Sequence, residues 1–203
     1  MMMRGRSFTA IAGGNRSMSR ERSWASAASA AALAVLVGSV VFGCGEDGPT
    51  EPQAASLTEL FGEQLFRADG SPVGVGILDN TPLIGIYFAD PGCPACAGFT
   101  PMLVSAYDQL REEGRSFEIV LVTPGITESS MFDFMADSGM SWLAVSPESN
   151  RSGALARRYN IRWIPTLVII DAAGGTVSLR GREEVAQSGA GAYDAWLTAS
   201  GGG

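Results

Sequence analysis

The stretch LIGIYFADPGCPACAGFTPMLVSAYDQLREEG, residues 83–114, decides the fold. Its first six residues are an apolar run with β-branched and aromatic members. The turn-forming Asp79-Asn80-Thr81-Pro82 precedes it, so it reads as a buried strand. Residues 94–113 read as a helix. Cys96, Phe99, Leu103, Tyr107 and Leu110 recur there at three-four spacing, and Gly114 ends the pattern. Cys93-Pro94-Ala95-Cys96 falls where the strand hands over to that helix.

Downstream, residues 117–122 read as a second buried strand. A short helix follows over 128–136, with Thr127 as N-cap and Met131, Phe134 and Met135 on one face. Residues 150–159 predict a weaker helix interrupted by Gly153. Residues 166–170 (TLVII) predict a third strand, 176–179 a hairpin strand, and 192–199 a closing helix with Tyr193, Trp196 and Leu197 facing inward. Upstream, 57–61 predicts a short helix, and 64–66 with 73–75 a small hairpin. The order is that of an α/β fold: a central mixed β-sheet flanked by helices, a parallel βαβ unit beside an antiparallel edge.

A Cys-x-x-Cys pair can be half of a zinc site, a static disulfide or a redox dithiol. Zinc needs four ligands, and this chain has neither histidine nor a second such pair. The strand-to-helix setting favours redox chemistry. A sulfur at residue 93 meets free backbone N–H groups and the positive end of the helix dipole, which favour thiolate. Pro94 lacks an N–H and suits the first helical position. Cys96, three residues on, shares its face. Cys93 is then the exposed nucleophile, and Cys96 the resolving thiol that releases a mixed disulfide.

The segment from Ile86 through Cys93 and Cys96 to Pro101 resembles the active-site region of nucleoredoxins and tryparedoxins, within the thioredoxin superfamily. Residues 141–145 (SWLAV) and 159–171 (YNIRWIPTLVIID) are similar to further blocks of that family, in the same order. The resemblance covers residues 57–199. It implies a thioredoxin fold with an N-terminal extension, and dithiol–disulfide exchange with no cofactor beyond the cysteine pair and no metal. It also implies that Ile164 and Pro165 match the family's cis-proline loop. There the backbone before the proline is free to pair with a substrate strand, so Pro94, Ile164 and Pro165 become the expected substrate-docking residues. Pro101 matches a helix-kinking proline.

Departures from the family pattern bear on partner choice. Gly92 stands where tryptophan usually precedes the first cysteine, and Ala95 where near relatives carry a second proline. Trp163, in the proline loop, either replaces some of that lost surface or packs within the core or loop. Tyr87 occupies the place of thioredoxin's buried acid, as in tryparedoxins. Asp90 is expected to shape the turn, with assistance to proton transfer as the other reading. Pro94-Ala95 offers no group that stabilises a thiolate, so a reductant or middling exchanger is expected rather than a strong oxidase.

Composition sets the cellular context. The chain of 203 residues has 14 arginines, no lysine, no histidine and three cysteines. The missing imidazole removes Ser-His-Asp triads, Cys-His dyads and His-ligated metals. Five arginines precede residue 25. From Cys44 onward, 9 arginines face 20 acids, which argues against nucleic acid as a partner. Residues 25–42 carry no charge in 18 positions and are followed by Gly43-Cys44. A basic segment, an apolar segment and a small residue before cysteine resemble a bacterial lipoprotein signal, although Phe42 departs from its usual small residue. The other reading is an uncleaved anchor, since 18 helical residues span roughly 27 Å.

The expected organisation is a signal or anchor over 1–43, lipidated Cys44 with a linker to 56, the thioredoxin-like domain over 57–199, and a flexible tail over 200–203. A lipid-anchored domain facing the periplasm or exterior would act on disulfide-containing envelope proteins and draw electrons from a membrane thiol donor. The competing class is a non-catalytic binding module with a static Cys93–Cys96 disulfide.

Overall fold

The computed structural model describes residues 55–201. The expectations for the export segment, for Cys44 and for most of the linker lie outside the described residues. Ser56 opens the described fold as N-cap of α1 (Leu57–Phe61). Its hydroxyl accepts the Glu59 N–H, and the Glu59 carboxylate accepts the Ser56 N–H. This reciprocal capping box lets a five-residue helix form beside the sheet.

The strands are β1 (Gln64–Phe66), β2 (Pro72–Gly74), β3 (Leu83–Phe88), β4 (Phe117–Val122), β5 (Leu143–Ala144), β6 (Thr166–Asp171) and β7 (Thr176–Ser178). They form one mixed sheet in the order β2-β1-β5-β4-β3-β6-β7. β3, β4 and β5 are parallel, while β6 runs antiparallel to β3. All six residues of β3 are buried, as expected for a strand covered on both faces. The upstream hairpin is no separate appendage. β1 pairs with β5 through Phe66 and Ala144, which carries the sheet two strands further.

The helices are α2 (Pro94–Glu112), α3 (Glu128–Asp137), α4 (Asn150–Arg158), α5 (Gly181–Ser188) and α6 (Ala192–Ala199). Alternation along the strands divides the core into two layers. Tyr87, Ile119, Leu121 and Leu167 pack with α2, α3, α5 and α6. Ile84, Ile86, Phe88, Val120, Val168 and Ile170 pack with α1 and α4. The expected inward positions of α2 and α3 are all buried. Among the described residues, no helix is long and apolar enough to cross a membrane.

Two local expectations change. α4 runs unbroken through Gly153, because Ser149 caps its start and Leu155 anchors it in the core. A glycine costs an interior helical position only about 1 kcal/mol, which that anchoring offsets. α5 was not expected at all, since Val185 is its main apolar anchor. It is held instead through Glu184, whose carboxylate accepts the Ser178 hydroxyl at 2.8 Å and the Trp196 indole N–H at 2.6 Å. Gly181 starts it where a Cβ would lie 2.8 Å from the Leu167 carbonyl oxygen, so this close approach requires glycine.

Candidate active site: a dithiol at the start of α2

β3 delivers the chain to the top of the sheet, and a tight turn then redirects it into α2. Asp90 organises that turn. Its Oδ1 accepts the Gly92 N–H at 2.7 Å, and its carbonyl accepts the Cys93 N–H at 3.2 Å. A Cβ at residue 92 would stand 3.1 Å from the same Oδ1. Gly92 therefore fits the Asp90 turn, whereas a large residue there would require the carboxylate to move.

Cys93 is the N-cap of α2, with Pro94 at the first helical position. The Cys93 sulfur accepts the Cys96 N–H at 3.1 Å, the place usually taken by a serine or aspartate oxygen. The α2 N-terminus carries no acidic residue in its first turn. Its dipole and the Cys96 N–H thus act on the sulfur without a carboxylate on the helix's first turn to oppose them. Cys93 is partly exposed, while Cys96 is fully buried. Burial first, and the hydrogen bond with Cys93 second, push the Cys96 thiol up to about 12. The two sulfurs are thus unequal: one is accessible at a helix end, and the other is held as a thiol beneath it.

Below the pair lies a buried relay of hydroxyls. The Thr100 hydroxyl donates to the Cys96 carbonyl at 2.8 Å and lies 2.8 Å from the Tyr87 hydroxyl. With its single proton committed to Cys96, Thr100 accepts from Tyr87. Burial raises the Tyr87 phenol, so it stays a donor at neutral pH. Thr100 was not anticipated from the sequence. The available signal was a polar residue on the buried face of α2, four positions after Cys96.

The loop before β6 completes the site. The Ile164–Pro165 peptide is cis, and the Ile164 carbonyl oxygen lies 3.7 Å from the Cys93 sulfur. The fold thereby brings together Cys93, Pro94, Cys96, Ile164 and Pro165 from segments some 70 residues apart. Trp163 does not pack in the core. It is 79% exposed, and Ile164 is 38% exposed, so an apolar surface adjoins the sulfur. Pro101 lies inside α2, as the family pattern implies, and Asp90 takes the turn-forming role.

A solvent-accessible cysteine capping a helix, a buried partner one turn on and a facing cis-proline loop define a thioredoxin-type dithiol centre. A family profile described as thioredoxin-like matches residues 81–177. The chain is 35% identical over 129 residues to nucleoredoxin of Bos taurus, covering 63% of this chain and 29% of that protein. Nucleoredoxin of Xenopus laevis is 42% identical over 129 residues, with 63% and 30% covered. The chain thus spans less than a third of these relatives' length. Native tryparedoxin I from Crithidia fasciculata superposes with a TM-score of 0.60 at 33% identity, over 68% of this chain and 94% of that one. The chain belongs to the nucleoredoxin- and tryparedoxin-like group of the thioredoxin superfamily, a family of thiol–disulfide oxidoreductases.

Proposed function

We propose that this chain reduces or exchanges protein disulfides in the cell envelope through Cys93-Pro94-Ala95-Cys96. The observation that carries the reading is the inequality of the two sulfurs. Cys93 is accessible and accepts a helix N-terminal N–H at 3.1 Å, while Cys96 is buried with its thiol pushed up to about 12.

The Cys93 thiolate attacks one sulfur of a substrate disulfide. That bond breaks, a mixed disulfide forms, and the first substrate sulfur leaves as a thiolate that takes up a proton. Cys96 then gives up its proton and attacks the Cys93 sulfur. The second substrate thiol leaves, and Cys93–Cys96 becomes a disulfide, two electrons having passed to the substrate. Pro94, Ile164 and Pro165 form the docking surface around the reacting sulfur. Lipidated Cys44 holds the domain at the membrane, and a membrane thiol donor returns the electrons.

The test is insulin disulfide reduction by the full chain with dithiothreitol, together with trapping of mixed disulfides by Cys96→Ala. Turnover and a Cys93-linked adduct are expected. Neither rate nor adduct would leave a binding module with a static disulfide. A redox titration is expected to stay well below the strongly oxidising end near −120 mV. Fatty-acid labelling is expected to disappear in Cys44→Ser, and persistence of label in that variant would remove the lipid anchor.

A further inference from the structure

Beside the proline loop runs a groove of about 540 Å³, between the segment leading into β6 and the segment joining β7 to α5. Arg162, Trp163 and Pro165 line one wall, and Leu179, Arg180 and Arg182 the other. Its charge is opposite to that of the molecule. From Cys44 onward the chain has 9 arginines against 20 acids, yet three of those arginines meet here with only Glu183 against them. Glu183 pairs weakly with Arg182, at 4.0 Å. Among the described residues, Arg162 and Arg180 lie in no ion pair. The groove also carries two of the most exposed large apolar side chains, Trp163 at 79% and Leu179 at 55%.

Its position gives this charge a use. Trp163 and Pro165 flank Ile164, whose carbonyl oxygen is 3.7 Å from the Cys93 sulfur. A polypeptide whose disulfide lies on Cys93 and whose chain continues past the proline loop brings the residues beside its cysteine to this groove. Nucleic acid is disfavoured by the negative field of the whole body, which repels a polyanion before a local patch can act. A short acidic peptide segment presents only a few charges and comes within contact range of the arginines.

Resting on the dithiol reading above, we propose that this groove selects protein disulfides whose reacting cysteine is flanked by acidic residues. Arg162 and Arg180 pair with the carboxylates, and Trp163 covers the apolar part of the segment. Exposed ion pairs are individually weak and screened by salt. Two of them, formed only with the acidic partner, give about a tenfold preference at low ionic strength.

The test uses the reduced full chain and two synthetic disulfide-closed peptides, identical except that one carries Asp and Glu and the other Asn and Gln beside the cysteines. Neutral 2-hydroxyethyl disulfide serves as a third probe on the wild-type chain. The acidic peptide is expected to react about tenfold faster than the neutral one at low salt. The ratio should approach one at high salt and in Arg162→Gln/Arg180→Gln. Trp163→Ala should slow both peptides alike. Equal rates for the two peptides, or a ratio unchanged in the double variant, would overturn the groove's role while 2-hydroxyethyl disulfide reduction keeps the dithiol reading intact. No reduction of any probe would remove both. Self-association abolished by the same double variant would assign the groove to a second copy and overturn the proposal.

Discussion

The Tyr87–Thr100–Cys96 relay makes a quantitative prediction about the foundation of the dithiol. Thr100→Val keeps the shape of the side chain and deletes its hydroxyl. Two hydrogen bonds are lost, each of 2.8 Å in the wild type. Each contributes about 1 kcal/mol net. The Tyr87 hydroxyl is left buried without its acceptor, at a further cost of about 1 kcal/mol or more. The expected loss is about 3 kcal/mol, or roughly 6–12 °C in Tm for a domain of this size. Tyr87→Phe is milder, about 1 kcal/mol, because Thr100 keeps its bond to the Cys96 carbonyl. In the double variant no Tyr87 hydroxyl is stranded and the bond shared by the two side chains is lost only once, so its loss should fall short of the summed single losses by about 2 kcal/mol. Urea unfolding of the reduced protein at neutral pH measures all three variants on one scale. Strict additivity would refute the relay, because independent hydroxyls have no coupling energy.

Other expectations follow from the same structure. Burial raises Cys96 from 9.0 to about 12. The folded protein therefore keeps a proton that the unfolded chain releases first, and this group's stabilising share is lost as pH rises from about 9 to 12. Reduced wild type should lose stability over that window more steeply than Cys96→Ala; parallel curves would contradict the burial argument. Burial likewise raises Glu118, which accepts the Tyr107 hydroxyl at 3.0 Å and the Ile119 N–H at 2.9 Å. Its raised folded-state pKa means that stability present in acid is partly lost as the carboxyl ionises. Glu118→Gln should therefore gain on wild type between pH 4 and pH 7 in denaturant titrations, and a pH-independent difference would count against this. Gly181→Ala should cost about 1–3 kcal/mol in thermal unfolding, because its Cβ would press on the Leu167 carbonyl. A neutral effect there would show that α5 shifts freely.

Which features were legible in the sequence follows from the range of the interactions behind them. The β3–α2 unit is written locally. An unbroken apolar run, a three-four stripe through Cys96, Phe99, Leu103, Tyr107 and Leu110, and a proline placed to start a helix all act within a few residues. The dithiol inherits that clarity, since its spacing and its place at a helix start are properties of one segment. α5 was illegible because its order comes from Glu184 meeting Ser178 and Trp196, and from the contact between Gly181 and β6.

By itself the sequence determined an α/β chain with a Cys-x-x-Cys at a strand-to-helix junction, and the family resemblance pointed to the proline loop. Tertiary structure alone decided how deeply Cys96 is buried and that Thr100 links it to Tyr87. It also decided that Trp163 faces solvent rather than the core, and that Arg162 and Arg180 share a groove with Trp163 and Pro165 of the proline loop. The physical reason is separation along the chain. Local propensity selects each element, but burial and electrostatic neighbours arise only when β6 returns antiparallel to β3 and sets Ile164 against Cys93, 71 positions earlier.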